Sequence, residues 1–214
     1  HSTTMTKVYD QAYFDNWYRK EQISSPATLA RKVALAVAMA EYHLCRPIRS
    51  VLDVGCGEGA WRAPLLRLRP KLDYMGLDSS QYAVNRYGRQ RNLRLVPFGD
   101  LEHLRLNQPA DLLVCADVLH YLGDDELRRG LSGFTALCDG LAFIETYCSE
   151  DDIDGDLNGF QCRDAAWYRR EFHRAGLVAC GNHGYLVPAQ ANYATSLELP
   201  NSERKRRPGL FQRA

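Results

Sequence analysis

Residues 50–61 read Ser-Val-Leu-Asp-Val-Gly-Cys-Gly-Glu-Gly-Ala-Trp, and this stretch decides the fold. Its first part, Val51 to Val54, is a short, mostly apolar run that suits a parallel strand covered on both faces. Three glycines at alternate positions follow and bring the backbone close to a ligand. The residues from Ala60 onward have a helical pattern. We therefore expect the glycine turn to join a strand end to a helix start, where free backbone N–H groups favour polar or negatively charged ligand groups.

The carboxylate and the spacing of the glycines narrow the kind of ligand. Asp53 lies at the strand end, where a bound cation or ammonium group would justify the burial of its charge. The glycines at 55, 57 and 59 give the spacing GxGxG, whereas a dinucleotide site has GxGxxG. No Lys-Ser or Lys-Thr pair follows them, as it would in a phosphate-binding loop. Judged from this segment alone, an ordinary glycine-rich turn without a ligand is the alternative to a ligand-binding loop.

The whole stretch closely resembles the first motif of class I S-adenosylmethionine-dependent methyltransferases, a hydrophobic strand followed by Asp-x-Gly-x-Gly-x-Gly. In that family the loop cradles the methionine end of the cofactor, which carries an ammonium and a carboxylate group. The resemblance therefore implies S-adenosyl-L-methionine as the cofactor. The residues expected around this end of it are Asp53, Gly55, Cys56, Gly57 and Gly59.

A second strand end carries the next acidic residue. Residues 72–77 predict a strand, and Asp78 follows it, 19 residues after Gly59. Nucleotide-binding α/β folds place a carboxylate at about this distance to bind the ribose hydroxyls. Asp-Ser-Ser is also a good helix cap, and both roles are compatible. We expect Asp78 and Ser79 at the cofactor, with Ser79 or Ser80 capping the next helix.

Two more strands are predicted at residues 93–97 and 110–115. After the third strand the family often places an acidic residue on the adenine amine and the next backbone N–H on the ring, which here points to Asp100 and Leu101. The fourth strand leads into Ala116, which we also expect at the cofactor, because ligands of open α/β sheets bind at the carboxyl ends of the strands. Four successive strand ends thus match the family in order.

The alternation of strands and helices from residue 50 to about 146 predicts a parallel sheet with right-handed crossovers. Residues 177–187 and 193–199 have no helix between them, so we expect them to pair as an antiparallel hairpin at the sheet edge. The resemblance implies an α/β, Rossmann-like, seven-stranded and mostly parallel sheet, with helices on both faces and the last strand antiparallel. The other predicted elements are helices at 26–45, 124–138 and 164–176 and a strand at 141–147.

A single domain is expected for the 214 residues. Within it, 1–48 are N-terminal helices that act as a lid and pack on the sheet, and 49–200 bind the cofactor. Residues 201–214 are a basic tail without periodicity, which predicts poor order. The aromatic residues near the start either pack on the sheet or, as in similar small-molecule methyltransferases, close over the methionine end of the cofactor; Tyr13 and Tyr18 are the candidates.

The net charge of +1 gives the chain no general attraction to nucleic acid or to an anionic membrane. Seven cysteines without a Cys-x-x-Cys pair predict reduced thiols and no metal site. The longest wholly apolar run, residues 33–40, is far shorter than the roughly 20 residues that span a bilayer. Since the amino terminus carries no secretory signal, the sequence predicts a cytoplasmic protein.

His120 is the best candidate for a catalytic base at the predicted cleft, because histidine exchanges a proton near neutral pH. Packing or capping at the start of the next helix is its alternative role. Tyr121 is the second catalytic candidate, and Glu145 and Tyr147 near the end of the fifth strand are secondary ones. The acidic loop at 149–162 is either a wall of the substrate pocket, which would favour a cationic or polar amine, or a solvated connector.

The fourth-strand motif narrows the methyl acceptor. Methyltransferases of base amines or glutamine amides usually show Asn or Asp, Pro-Pro and an aromatic residue there, whereas residues 116–119 read Ala-Asp-Val-Leu. The chain lacks a Pro-Cys pair for attack on a pyrimidine ring and a recognisable RNA-binding module. We therefore expect a small-molecule acceptor with a reactive nitrogen or oxygen. The alternatives are an RNA or protein methyltransferase that docks through the basic tail, and a cofactor-binding regulator without catalysis.

Overall fold

Seven strands form one sheet in the computed structural model, which describes residues 7–16, 25–153 and 156–200. In chain order they are β1 (Ser50–Val54), β2 (Asp73–Asp78), β3 (Leu93–Leu95), β4 (Ala110–Ala116), β5 (Cys138–Glu145), β6 (Val178–Gly181) and β7 (Gly184–Leu186). Across the sheet the order is β3-β2-β1-β4-β5-β7-β6. The pairs among β1 to β5 are parallel, and β7 runs antiparallel to both of its neighbours. The predicted Rossmann-like sheet with a reversed last strand is confirmed.

Helices cover both faces of the sheet. Leu112 and Leu113 of β4 show why: both are fully buried, and successive side chains of a strand point to opposite faces. Leu112 packs in a cluster with Val33 and Leu65, and Leu113 packs in a second cluster with Leu127. The helices of the described residues are α1 (Gln11–Phe14), α2 (Pro26–Leu44), α3 (Arg62–Leu68), α4 (Gln81–Arg91), α5 (Asp124–Ser132), α6 (Phe134–Leu137), α7 (Ala165–Arg174) and α8 (Pro188–Ala191), with 3₁₀ helices at Phe98–Glu102 and Leu119–Tyr121.

The predicted helix starts are confirmed by capping hydrogen bonds. Ser25 caps α2, Ser80 caps α4 and Asp164 caps α7. Each side chain accepts a hydrogen bond from the backbone N–H three residues further on, at 3.2, 3.1 and 2.6 Å respectively. Because Ser80 follows Asp78 so closely, helix α4 starts directly at the carboxyl end of β2.

The hairpin at the sheet edge differs from its prediction. Strands β6 and β7 both lie inside the stretch that was expected to be one strand, and residues 193–199 contain no strand. The turn between β6 and β7 is made by Asn182 and His183, which both have positive φ angles, 49° and 64°. Two such residues form the tight connection that fits the twist of paired strands. The predicted pairing with 193–199 was therefore wrong.

The helix predicted over 124–138 is two short helices, and β5 begins earlier than expected, at Cys138. The helix breaks at Gly133, where an added Cβ would lie 2.1 Å from the carbonyl oxygen of Leu101. This close approach of two backbones requires glycine. The 3₁₀ helix that contains Leu101 can therefore pack directly on α5.

The direction of the chain across the sheet reverses beside β1, because β2 and β3 lie on one side of it and β4 on the other. Open α/β sheets bind ligands at such a point, outside the carboxyl ends of the strands.

All seven cysteines are free thiols. Within residues 7–16, 25–153 and 156–200, no helix has the length and hydropathy of a membrane span. The basic tail at 201–214 lies outside the described residues.

Candidate active site

A cleft opens at the carboxyl ends of β1, β2 and β4, where the change in strand order predicts a ligand site. Its walls surround about 640 Å³ of space, a volume that includes the open solvent at its mouth. Of the residues predicted from sequence to form the site, those that line it are Gly55, Gly57, Asp78, Ser79 and Tyr121. Those that the structure places elsewhere are Asp53, Cys56, Gly59, Asp100, Leu101, Ala116 and His120, and Tyr18 lies outside the described residues.

The glycine loop forms the floor of the cleft. Its amides donate hydrogen bonds inside the protein: Gly55 and Cys56 both bond to the carbonyl oxygen of Leu77, at 2.7 and 3.1 Å, and Gly57 bonds to Asp78 at 2.7 Å. The expectation of free N–H groups here is therefore wrong for these three amides. What the glycines provide is close approach, since an added Cβ on Gly55 would lie 2.3 Å from a methyl carbon of Val118.

Asp78 lies at the end of β2 with its carboxylate on the cleft wall. One of its oxygens accepts the Gly57 N–H and the other accepts the Ser80 N–H, at 2.7 and 2.8 Å. Burial raises the pKa of this carboxyl, although the backbone N–H groups act in the opposite direction. An ionised carboxylate accepts about four hydrogen bonds. Asp78 therefore keeps acceptor positions for hydroxyl groups of a ligand.

Asp53 lies under the loop instead of in the cleft. It is 2% exposed, and its carboxylate accepts a 2.7 Å hydrogen bond from the hydroxyl group of Tyr74 on the neighbouring strand β2. Burial raises the pKa of Asp53 to about 7, the Tyr74 hydrogen bond acts against this rise, and the nearby charge of Asp78 adds to it. The sequence marks the position correctly but does not show which way the side chain points.

An apolar wall forms one side of the cleft, at the ends of β3 and β4. It consists of Val96, Phe98, Val118 and Leu122. Asp100, which was expected at this side, is exposed on the 3₁₀ helix, and Leu101 is 1% exposed in the core. Flat apolar rings fit between such side chains.

Asp117 lines the cleft within the stretch 116–121 that the sequence predicts there, although it was not among the predicted site residues. It follows β4 directly and has a φ of +64°, in the left-handed region that residues other than glycine rarely adopt. Its backbone N–H donates to the carbonyl oxygen of Glu145 at 2.9 Å, which fixes it beside the end of β5. Strained backbone of this kind is typical of functional positions. The signal in the sequence was an acidic residue immediately after the fourth strand.

His120 lies behind Asp117 and is 1% exposed. Its Nε2 atom is 3.3 Å from a carboxylate oxygen of Asp117, and its Nδ1 atom is 3.0 Å from the Thr146 hydroxyl oxygen. The rings of Tyr121 and Phe160 pack on it, with centroids 4.2 and 5.4 Å away. The imidazole is thus held in one orientation, with one edge facing the acid at the cleft.

The N-terminal segment closes the cleft on its remaining side. Tyr9, Tyr13 and Phe14 line it, and the Ser80 hydroxyl donates to the carbonyl oxygen of Tyr9 at 2.6 Å. Phe14 is buried and stacks on Tyr82 with the ring centroids 5.8 Å apart. The segment is therefore anchored on the start of α4 as well as on its own short helix.

The charges around the cleft are unbalanced. Asp78, Asp117 and Glu126 all line it, while none of its described lining residues is a lysine or arginine. No group of three or more His, Cys, Asp or Glu side chains in the described part of the chain could hold a metal ion. A ligand with net positive charge fits this site best.

Comparison with known proteins identifies this domain. Residues 52–139, from β1 into the first residues of β5, match the family model described as "Methyltransferase domain". This part of the chain is a methyltransferase domain. A search of the curated proteins finds no match to it.

Solved structures show the same methyltransferase fold at low sequence identity. DesVI from Streptomyces venezuelae is 17% identical, with a TM-score of 0.60 over 75% of this chain and 92% of that one. The sugar N-methyltransferase KedS8 from Streptoalloteichus is 17% identical, with a TM-score of 0.59 over 83% and 87%. A SAM-dependent methyltransferase from Archaeoglobus fulgidus is 13% identical, with a TM-score of 0.59 over 78% and 73%. The cofactor of this methyltransferase is S-adenosylmethionine, and its acceptor has to be argued from the cleft.

Proposed function

We propose that this methyltransferase acts on a nitrogen or oxygen atom of a small molecule. The observation that carries the proposal is the coverage of the cleft. Tyr9 and Tyr13 of the N-terminal segment line the cleft together with Tyr121, so aromatic side chains cover part of the site at the strand ends. A polymer would need an open groove, whereas a small acceptor can be enclosed and shielded from water.

The residues present fit the cofactor. The acceptor positions left on Asp78 suit the two hydroxyls of a ribose, and the wall with Val96, Phe98 and Val118 suits the adenine ring. Gly55 and Gly57 line the cleft beside Asp78, where the amino-acid end would lie. The excess of acidic side chains suits the net positive charge of a sulfonium compound.

The reaction asks little of the protein beyond alignment. When bound, S-adenosylmethionine supplies a methyl group on a positively charged sulfur, which is already activated for displacement. Asp117 accepts a hydrogen bond from the N–H or O–H of the acceptor and so orients it. His120 holds the Asp117 carboxylate in place and is itself held by Thr146, so we assign it a positioning role. Tyr121, which also lines the cleft, contacts the acceptor.

The test combines cofactor binding with acceptor screening. The protein should bind S-adenosylhomocysteine in calorimetry and should transfer a labelled methyl group to members of a panel of small amines, alcohols and phenols. Asp117→Asn keeps a residue that tolerates a positive φ but removes the charge. It should lower kcat for the best acceptor by about tenfold or more and leave S-adenosylhomocysteine affinity nearly unchanged. Methyl transfer to RNA or protein and to none of the panel would contradict the proposal, as would binding without any acceptor.

A further inference from the structure

The ammonium group of Lys7 lies among three tyrosine rings at the edge of the cleft. Its Nζ atom is 3.6 Å from the ring centroid of Tyr121, 5.1 Å from that of Tyr13 and 5.5 Å from that of Tyr9. Each ring is within the distance at which a cation is attracted to the face of an aromatic system. The rings of Tyr9 and Tyr13 also contact each other edge to face, at 5.0 Å.

Oxygen atoms complete the surroundings of this ammonium group. Lys7 forms an ion pair with Asp156 and donates to the carbonyl oxygen of Asn158 at 3.0 Å. The side chains of Lys7 and Asp156 are only 10% and 9% exposed. The Tyr121 hydroxyl donates to the backbone carbonyl oxygen of Asp156 at 3.0 Å. This hydrogen bond holds the ring of Tyr121 close to the residue that carries the carboxylate. Tyr9, Tyr13, Tyr121 and Asp156 are called the ammonium cage below.

The cage is part of the cleft wall, because all three of its tyrosines line the cleft. This distinguishes it from other contacts between cations and rings in the described residues. Arg86 lies over two rings, Tyr82 and Tyr87, at 5.9 and 5.5 Å, and Arg91 lies over Tyr87 at 4.0 Å. Neither Arg86 nor Arg91 lies in the cleft wall. Among the cation–ring contacts of the described residues, the cage alone combines three rings, a carboxylate whose side chain is 9% exposed and access from the cleft.

We propose that the ammonium cage binds the amine of an external ligand, a protonated alkyl amine or a quaternary alkylammonium, and that Lys7 occupies this site until such a ligand displaces it. The proposal deepens the proposed function, on which it rests, by naming a cationic amine as a feature of the methyl acceptor or its product. The cage recognises the charge and takes no part in methyl transfer. Aromatic rings with a carboxylate favour a cation over a neutral group of equal shape.

Choline and its neutral isostere 3,3-dimethylbutan-1-ol are the probes. Calorimetric titration of the full chain compares wild type with Lys7→Ala, which vacates the cage. We expect Lys7→Ala to bind choline about tenfold more tightly than wild type does. We also expect Lys7→Ala to bind choline about tenfold more tightly than it binds the neutral isostere. One desolvated cation–π contact accounts for about a tenfold difference in affinity. Equal affinity of Lys7→Ala for the two probes, or no gain over wild type, would overturn the proposal.

A second pair of variants tests the rings themselves. In the Lys7→Ala background, Tyr121→Phe keeps the aromatic face and should keep the preference for choline, whereas Tyr121→Leu should remove it. Thermal melting checks that each variant is folded. An unchanged preference in Tyr121→Leu would contradict the role of the cage. Failure here with intact binding of S-adenosylhomocysteine refutes the cage alone, whereas lack of S-adenosylhomocysteine binding by wild type refutes the proposed function.

Discussion

Replacing Asp53 by asparagine should change how the stability of the protein depends on pH. Asp53 is buried beneath the glycine loop, and its pKa is raised from 3.8 to about 7 by burial. The folded protein therefore holds a proton that the unfolded chain releases between these two values. Because the folded state binds more protons, the free energy of unfolding contributed by this group is fully present below about pH 4 and is lost as pH rises through about 7.

The size of the effect follows from the pKa difference. Each pH unit between the two values costs about 1.4 kcal/mol, so the full loss is about 4 kcal/mol, and about 2.5 kcal/mol of it falls between about pH 5 and pH 8. Asparagine carries no proton to lose and can still accept the hydrogen bond from Tyr74. Across this interval the unfolding free energy of wild type should therefore fall by about 2.5 kcal/mol more than that of Asp53→Asn.

Urea unfolding at several pH values, followed by circular dichroism, measures this difference. The comparison of two variants cancels the contribution of Asp78, whose pKa is also raised by burial. Parallel curves of stability against pH for wild type and Asp53→Asn would refute the reasoning, because they would mean that Asp53 is ionised in the folded protein as it is in the unfolded chain.

Substitutions at two further positions test the packing of the glycine loop and the anchoring of the segment after β4. Gly55→Ala should lower the melting temperature and weaken S-adenosylhomocysteine binding, because the added Cβ would lie 2.3 Å from Val118 at a φ of +67°. Adding Val118→Ala should restore part of the melting temperature and part of the affinity. If Gly55→Ala has no effect, or if Val118→Ala restores nothing, the close contact between Gly55 and Val118 is contradicted. Arg163→Met should lower the free energy of unfolding in urea by about 1.5–3 kcal/mol, because Arg163 is only 8% exposed and its guanidinium group bonds to Asp124 and to the carbonyl oxygen of Leu122. Arg163→Lys should cost less, since it keeps the charge but not the planar group, and wild-type stability of Arg163→Met would speak against this role.

Much of the fold could be predicted from the sequence, because its signals are local. The apolar run before Gly55 indicates a buried strand, and Ser25 with Pro26 marks the start of a helix; both are found as expected. The hairpin was misplaced because its turn, Asn182 and His183, depends on two positive φ angles that no periodicity reveals. The break at Gly133 depends on a backbone contact with a segment about thirty residues away.

The candidate site was predicted less completely than the fold. Asp78 was found because its distance from the glycines is set by one strand-helix-strand unit. Asp53 is in the predicted position, but its side chain points under the loop toward Tyr74, and the direction of a side chain at a strand end depends on the neighbouring strand. Asp117 directly follows β4 and Glu126 lies in the first turn of α5, and no sequence pattern shows that both side chains meet at the cleft. The approach of Lys7 to Tyr121 joins distant parts of the chain, so spacing gives no sign of it.

The binding of the ribose hydroxyls by Asp78 is the central claim, and a thermodynamic cycle tests it most directly. Calorimetry would compare S-adenosylhomocysteine with its analogue lacking both ribose hydroxyls, in wild type and in Asp78→Asn. Wild type should prefer the intact nucleoside by about tenfold or more, because hydrogen bonds to a charged group are worth about 1.5–3 kcal/mol, and Asp78→Asn should lose most of that preference. Equal discrimination by both proteins, or wild type that binds neither compound, would contradict the account.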